Sequence, residues 1–246
     1  MRIAAIADVH GNLLALEAVL DDLAGFAPDL VVNLGDTVSG PLQAAETADL
    51  LMARSFPTVR GNHDRHLIHP PAKGMGASDR AAHAGLAPHH LAWLAALPAT
   101  LRPVPEVLCL HGCPDDDTEL LLDDAARKRG LVRASAQDIA ERLGDPGGAT
   151  LVLCGHSHRP DAVALPGGPL VVNPGSVGLQ GFEDDEPFPY RFSAGTPHAR
   201  YALLDRTPRG WAATWRALTY DWDAAAEVAR LAGRKEWASA LATGFP

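Results

Sequence analysis

Five short apolar segments of this chain each run into polar side chains, and this repeated pattern limits the fold more than any other feature. The segments are typical of buried strands and cover residues 2–7, 29–34, 58–60, 106–110 and 150–154. Helical patterns separate the first three of them, with apolar residues three and four positions apart. A strand–turn–helix series of this kind predicts a sheet with parallel strands and helices outside it.

The remaining elements follow from the same periodicities. Further helices are predicted after Asn12, from 41 to about 54, over 78–97 with an interruption near Pro88, and over 136–143, 222–232 and 235–242. Further strands are predicted over 170–173, 200–204 and 211–218. Residues 181–196 are predicted to form one long irregular loop that is acidic and aromatic. We expect a single domain over residues 1–246.

Composition excludes several classes of protein. The 246 residues are 47% apolar and 21% charged, as in a globular chain, and the net charge of -9 argues against a nucleic-acid polymer as partner. Three cysteines without a framework are typical of reduced thiols, so we expect a cytoplasmic protein. Neither a signal peptide nor a membrane span is predicted, and a homo-oligomer stays open.

Polar side chains with metal-binding chemistry follow each of the five predicted strands. The carboxyl ends of strands in an open α/β sheet meet at the crevice where ligands bind, so these side chains should converge. They are Asp8 and His10, then Asp36, then Asn62 and His63, then His111, and finally His156 and His158.

Carboxylates, imidazoles and an amide oxygen suit ions such as Mn²⁺, Fe, Co²⁺ or Zn²⁺. A set of this size exceeds one tetrahedral site but fits two ions about 3.5–4 Å apart if a carboxylate bridges them, an arrangement that clamps a phosphoryl group. Each residue also has a plainer interpretation. An isolated Asp after a strand is usually a helix cap, and an isolated His is usually a hydrogen-bonded core or rim residue. The remaining histidines are interpreted as surface or rim residues.

The order of these motifs resembles the calcineurin-like metallophosphoesterase superfamily. The residues that carry the resemblance are Asp8-Val9-His10, Gly35-Asp36, Gly61-Asn62-His63-Asp64, His111-Gly112 and Gly155-His156-Ser157-His158. The segment Asn173-Pro174-Gly175-Ser176-Val177-Gly178 is similar to the small phosphodiesterase branch known as the YfcE-like group. The resemblance implies an α/β fold, a four-layer αββα sandwich with two facing mixed sheets.

The resemblance also implies roles for the site residues. One metal would take Asp8, His10, Asp36 and His158, and the other Asp36, Asn62, His111 and His156, with Asp36 bridging. His63 would be catalytic and assist the leaving group, and Asp64 would hold its other ring nitrogen. The cofactors would be two divalent transition-metal ions (Mn, Fe, Zn, Co or Ni), with Mn preferred for activity. The implied reaction is hydrolysis of small phosphodiesters by a metal-bridged hydroxide.

Alternative functions rank below this one. They are a protein or nucleotide phosphomonoesterase and, lower still, a non-catalytic metal-binding scaffold. The acidic residues Glu183 to Glu186 would repel polyphosphates if they faced the metals, but a solvated acidic loop is the preferred interpretation. Arg191 is a weaker candidate for a phosphate contact.

Overall fold

The computed structural model describes residues 1–71, 73–127 and 129–246. In chain order its strands are β1 (Arg2–Ile6), β2 (Leu30–Asn33), β3 (Thr100–Val104), β4 (Val107–Leu110), β5 (Asp123–Ala126), β6 (Gly130–Arg133), β7 (Leu151–Leu153), β8 (Asp161–Ala164), β9 (Leu170–Asn173), β10 (Gly181–Asp184), β11 (Tyr190–Ser193), β12 (Ala199–Thr207) and β13 (Gly210–Leu218). Its helices are α1 (Leu13–Ala24), α2 (Ala44–Arg54), α3 (Asn62–Ile68), α4 (Ala77–Gly85), α5 (Pro88–Ala96), α6 (Ala136–Leu143), α7 (Trp222–Leu231) and α8 (Lys235–Thr243).

The first main sheet has the strand order β13-β12-β1-β2. β1 runs parallel to β2 and antiparallel to β12, so this sheet is mixed. The strand predicted at 58–60 is wrong, because only Thr58 forms a bridge, to Asn33. Beyond that bridge, the backbone N–H of Arg60 donates to the carbonyl of Pro98, which lies outside every strand.

The second main sheet has the order β3-β4-β7-β9-β8. Its three central strands are parallel to one another, and the two edge strands are antiparallel to their neighbours. Two hairpins, β5–β6 and β10–β11, lie outside the main sheets. The prediction of an irregular loop over 181–196 is therefore wrong, because β10 and β11 pair across most of it.

Apolar side chains fill the space between the two sheets and cover their outer faces. The central cluster includes Ile3 and Leu204 of the first sheet and Leu153 and Val172 of the second, all fully buried. One outer cluster joins α1 and α2 to the first sheet, and another joins α6 to the second. Because strand residues alternate between faces, each sheet contributes side chains to the central cluster and to one outer cluster. This αββα sandwich with two mixed sheets confirms the predicted fold class.

Among the residues that the structure describes, no helix combines the length and apolar character needed to cross a bilayer.

Candidate metal centre

Six of the seven predicted metal ligands follow strands of the two facing sheets. Asp8 and His10 follow β1, Asp36 follows β2, and His111 follows β4, while His156 and His158 follow β7 and Asn62 begins α3. These six fall into two groups whose donor atoms are close enough to hold an ion: Asp8, His10 and His158, and Asp36, His111 and His156. A cavity of about 930 Å³ opens onto both groups.

The first group is held closely together in the interior. The Nε2 atoms of His10 and His158 are 3.1 Å apart, and Nε2 of His158 is 3.6 Å from Oδ1 of Asp8. These three side chains are nearly or completely buried. Oδ2 of Asp8 is also buried and has no hydrogen-bond partner among the described residues.

The second group includes the amide of Asn62. Nε2 of His111 is 3.1 Å from Oδ1 of Asn62 and 3.4 Å from Oδ2 of Asp36. The same Oδ2 atom is 3.8 Å from Nε2 of His10 in the first group. Asp36 therefore lies between the groups, as a carboxylate shared by two ions must.

Hydrogen bonds to backbone carbonyls determine which ring nitrogen of each histidine is free. A carbonyl oxygen only accepts, so the ring nitrogen beside it carries the proton and the other nitrogen has a lone pair. In His10, His111 and His158, Nδ1 donates to the carbonyls of Ser39, Leu34 and Leu179, at 3.0, 2.7 and 2.8 Å. In His156 the order is reversed, since Nε2 donates to the carbonyl of Thr118 at 2.9 Å.

This hydrogen bonding turns the other ring nitrogen of each of the four imidazoles into the centre. When both rings are neutral, the Nε2 lone pairs of His10 and His158 point at each other across 3.1 Å. This arrangement is repulsive unless a cation lies between them. Oδ2 of Asp8 is likewise buried without a hydrogen-bond donor. The residues present therefore fit divalent cations.

A surface group shows the opposite arrangement. Asp49, His89 and His90 also lie close enough to hold an ion. However, the backbone N–H of Ala87 donates to Nδ1 of His90, so Nε2 of His90 carries the proton that it donates to Asp49 at 2.9 Å. Here the imidazole caps α5, and its lone pair is already used.

Burial and mutual charge shift the pKa values of the central residues. Burial raises the pKa of Asp8 to about 8 and lowers the pKa values of His10 and His156 to about 4. For His111, burial is outweighed by the carboxylate of Asp36, which raises the pKa to about 10. The pKa of Asp36 lies well below its usual range, because nearby imidazoles outweigh its burial.

The backbone at the donors is unusual. Five of the ligand candidates have left-handed φ angles, a conformation that is uncommon outside glycine but tolerated best by Asn, Asp and His. The angles are 54° at Asp8, 50° at His10, 54° at Asp36, 70° at His156 and 57° at His158.

The predicted contact between Asp64 and the ring of His63 is wrong. Both oxygens of the buried Asp64 carboxylate accept hydrogen bonds from the neighbouring loop. The donors are the backbone N–H groups of Asp36, Thr37 and Gly61 and the hydroxyl of Thr37, at 2.9, 2.9, 3.0 and 2.6 Å. Asp64 thus joins the loop after β2 to the start of α3, which places Asp36 beside Asn62.

The partner of His63 is Asp79 of α4, which the sequence did not reveal as a site residue. Nδ1 of His63 donates to Oδ1 of Asp79 at 2.7 Å. The His63 side chain is 33% exposed and lines the cavity. Burial lowers its pKa, but Asp36 and the hydrogen bond to Asp79 outweigh this and raise the pKa to about 9.

Gly61 has an ordinary φ of −85°, so it is not required for a special turn. A Cβ at Gly61 would lie 2.2 Å from Oδ1 of Asp36 and 2.5 Å from its backbone nitrogen. Close approach of the two loops therefore explains the glycine.

The wall of the cavity differs from expectation. Glu183, Asp184 and Glu186 line it together with Phe182 and Tyr190 of the same hairpin, and Glu183 and Glu186 are also exposed to solvent. Arg191 instead pairs with Glu183 at 3.1 Å and does not line this cavity. Residues of the last helices also line it, notably Arg234 and Trp237, and no sequence motif marked them.

The family comparison agrees with this geometry. A family model described as the calcineurin-like phosphoesterase superfamily domain matches residues 1–190. The chain belongs to the calcineurin-like phosphoesterase superfamily, which confirms the resemblance in the sequence motifs. It is accordingly a hydrolase that acts on phosphoester bonds.

Solved structures give the same result. The chain is similar to a metallophosphoesterase from Sphaerobacter thermophilus, with 25% identity and a TM-score of 0.73 over 99% of this chain and 100% of that chain. It is also similar to the protein PH1004 from Pyrococcus horikoshii OT3, with 18% identity and a TM-score of 0.74 over 99% and 98% of the two chains, which shows the fold alone. A search among curated proteins finds no match. Membership of the narrower YfcE-like branch stays a prediction.

Proposed function

We propose that this protein hydrolyses small phosphodiesters with two divalent metal ions. The observation that carries the proposal is the position of Asp36 Oδ2, which is 3.4 Å from His111 Nε2 and 3.8 Å from His10 Nε2, so one carboxylate serves both donor groups. Both groups open onto a single cavity that also contains His63.

The residues that would hold the ions divide as the two groups do. One ion would take Asp8, His10, Asp36 and His158, and the other Asp36, Asn62, His111 and His156. Bound divalent ions lower the pKa of a water and neutralise charge on phosphoryl oxygens. Imidazole and carboxylate donors suit Mn²⁺, which we prefer for activity.

The chain itself supplies orientation and a proton. Carbonyl hydrogen bonds hold each of the four liganding imidazoles with one ring nitrogen facing inward, so the rings are already oriented for an ion. His63 faces the cavity and has its Nδ1 occupied by Asp79, so its Nε2 is placed to give a proton to the leaving oxygen. General acids of this kind contribute about 10²–10⁴-fold in rate.

The charge of the cavity favours diesters. Glu183, Asp184 and Glu186 line its wall, so a phosphomonoester dianion or a polyphosphate would meet more repulsion than a singly charged diester. The volume of about 930 Å³ also leaves room for substituents on both sides of the phosphorus.

A substrate panel tests the proposal. Mono-, di- and cyclic phosphate esters would be assayed with Mn²⁺, Ni²⁺, Zn²⁺ and Mg²⁺, and again after chelation. We expect bis-p-nitrophenyl phosphate to be hydrolysed with Mn²⁺ and activity to be lost with the chelator. Turnover that survives complete metal removal would contradict the proposal. Faster hydrolysis of monoesters than of diesters would indicate a phosphomonoesterase instead.

A pair of variants tests the division of roles. Asp36→Ala should bind less metal, whereas His63→Ala should keep two ions and lose most of the rate, both measured by metal analysis and kcat. A His63→Ala protein that bound one ion would show that His63 is a ligand.

A further inference from the structure

Asp79 is a buried carboxylate that no sequence motif of the site contains. It lies in the first turn of α4 and is 2% exposed. Oδ1 is 2.7 Å from Nδ1 of His63 and 2.8 Å from the hydroxyl of Ser39. Oδ2 is 3.5 Å from Nδ1 of His66.

The neighbouring carboxylate cannot take this role. Asp64 follows His63 directly in the chain, but its oxygens already accept from the loop that contains Asp36 and Thr37. These hydrogen bonds to the loop therefore determine the position of Asp64, while the ring of His63 turns towards α4. The two carboxylates have separate tasks.

Contacts from two other parts of the fold hold the start of α4 in place. The backbone N–H of Gly40 donates to the carbonyl of Ser78, and Nη2 of Arg234 donates to the Ser78 hydroxyl at 3.1 Å. Ser39, which donates to Asp79, also accepts from Nδ1 of His10 through its carbonyl. Asp79 is thus positioned from the site loop and from the C-terminal helices together.

We propose that Asp79 is the positioning residue for His63: its carboxylate keeps a proton on Nδ1 and directs Nε2 into the cavity. The proposal rests on the proposed function, in which His63 protonates the leaving group. As the phosphorus–oxygen bond breaks, the leaving oxygen takes the Nε2 proton and His63 becomes neutral with its proton on Nδ1. The attacking water supplies the oxygen that phosphorus gains and the proton that restores His63.

A comparison of leaving groups separates positioning from a general structural effect. p-Nitrophenolate leaves readily without a proton, whereas phenolate is more basic and depends on one. We expect Asp79→Asn to lower kcat on diphenyl phosphate at least tenfold more than on bis-p-nitrophenyl phosphate, as His63→Ala does. The variant that carries both substitutions should have a kcat little lower than that of His63→Ala alone, because both substitutions remove the same function.

The matched control is Asp49→Asn. It makes the same substitution at another aspartate–histidine contact, 2.9 Å from His90 and outside the cavity, and should leave kcat unchanged. An equal loss on both esters, or an Asp79→Asn effect that adds in full to His63→Ala, would overturn the proposal. His63, His66 and Asp79 also lie close enough to hold an ion, so a third bound metal that Asp79→Asn removes would overturn it too.

A spectroscopic measurement needs no turnover. In ¹⁵N-labelled wild-type protein, His63 should show a strongly hydrogen-bonded, low-field Nδ1 proton, and Asp79→Asn should shift that signal upfield or abolish it while Asp64→Asn leaves a low-field signal. If wild-type protein hydrolyses none of the esters but the signal behaves as expected, the proposed function fails and the positioning stands. An unchanged signal in a folded Asp79→Asn protein would refute the positioning.

Discussion

At the scale of single residues, the site depends on two backbone segments, at Asp36 and at Gly61, that lie too close together to admit a side chain at Gly61. Gly61→Ala would place a methyl group 2.2 Å from Oδ1 of Asp36, so the loop after β2 must move away from α3. We expect loss of metal binding and a fall of several kcal/mol in the free energy of unfolding, as for overpacked cores. Metal analysis and urea denaturation measure the two effects.

Gly85→Ala is the matched control for that prediction. A Cβ at Gly85, the last residue of α4, has no atom within 4 Å. Alanine is the better helix former by about 1 kcal/mol, so stability should hold or rise slightly. Equal losses in the two alanine variants would show that close packing at Gly61 is not the cause.

The sequence allowed the strand-end donors to be predicted, because a strand followed by a donor is a local pattern. The same reasoning failed for the partner of His63. Adjacency in the chain favoured Asp64, but the first turn of α3 points that side chain back to the Gly61 N–H. Asp79 lies in a different helix, and only tertiary packing brings it to His63. The left-handed backbone of Asp8 and His156 likewise has no local sequence signal.

At the scale of elements, Asp22 ties α1 to the first sheet. It accepts from the hydroxyl of Tyr201 in β12 at 2.7 Å and from Nε and Nη2 of Arg216 in β13 at 2.9 and 2.8 Å. The hydrogen bonds from Arg216 and Tyr201 outweigh burial and lower the pKa of Asp22. The charged form is therefore favoured in the folded state.

We expect Asp22→Asn to reduce stability in a pH-dependent way. Because the folded-state pKa is depressed, the contribution of Asp22 is present above the unfolded-state value of about 3.9 and is lost as the pH falls through the folded-state value. Urea denaturation should give a loss of about 1 kcal/mol at pH 7 for this partly exposed pair, shrinking below about pH 4. Asp21→Asn, one position earlier and exposed, is the control; a loss that did not vary with pH would contradict the assignment.

Elements were predictable where the apolar pattern is long. The helices at 136–143 and 222–232 were found within a residue, since their apolar stripes mark one buried face. The hairpin β10–β11 was missed because its sequence, GFED…YRFS, alternates with charged residues that line a cavity. The strand at 58–60 failed for a different reason: its apolar run is too short to pair beyond Thr58.

At the scale of the whole molecule, the space between the sheets carries much of the stability. Leu204 of β12 is fully buried in the central cluster. Leu204→Ala should lower the free energy of unfolding by about 2–5 kcal/mol, through lost burial and the cavity left behind. Leu231→Ala, at a leucine that is 73% exposed in α7, should change it by no more than about 0.5 kcal/mol. Similar losses in both variants would be inconsistent with a core between the sheets.

Donors from both sheets meet in one centre, so bound metal should also hold the sheets together. Asp8 and Asp36 come from the first sheet, and His111 and His156 come from the second. A ligand that binds only the folded state stabilises it, by about 2.7 kcal/mol at a hundred times its dissociation constant. Chelation should therefore lower the melting temperature of wild-type protein and have less effect on Asp36→Ala, as calorimetry would show. An identical shift in both proteins would argue against metal binding at Asp36.

The left-handed backbone at five donors has a consequence for the stability of the metal-free chain. Left-handed residues cost roughly 1–2 kcal/mol each for most side chains, less for Asp and His, and nothing for glycine. Replacing His156, at φ 70°, by glycine would thus relieve local strain while removing a donor. At this position a gain in backbone stability and the loss of a metal ligand would therefore come together.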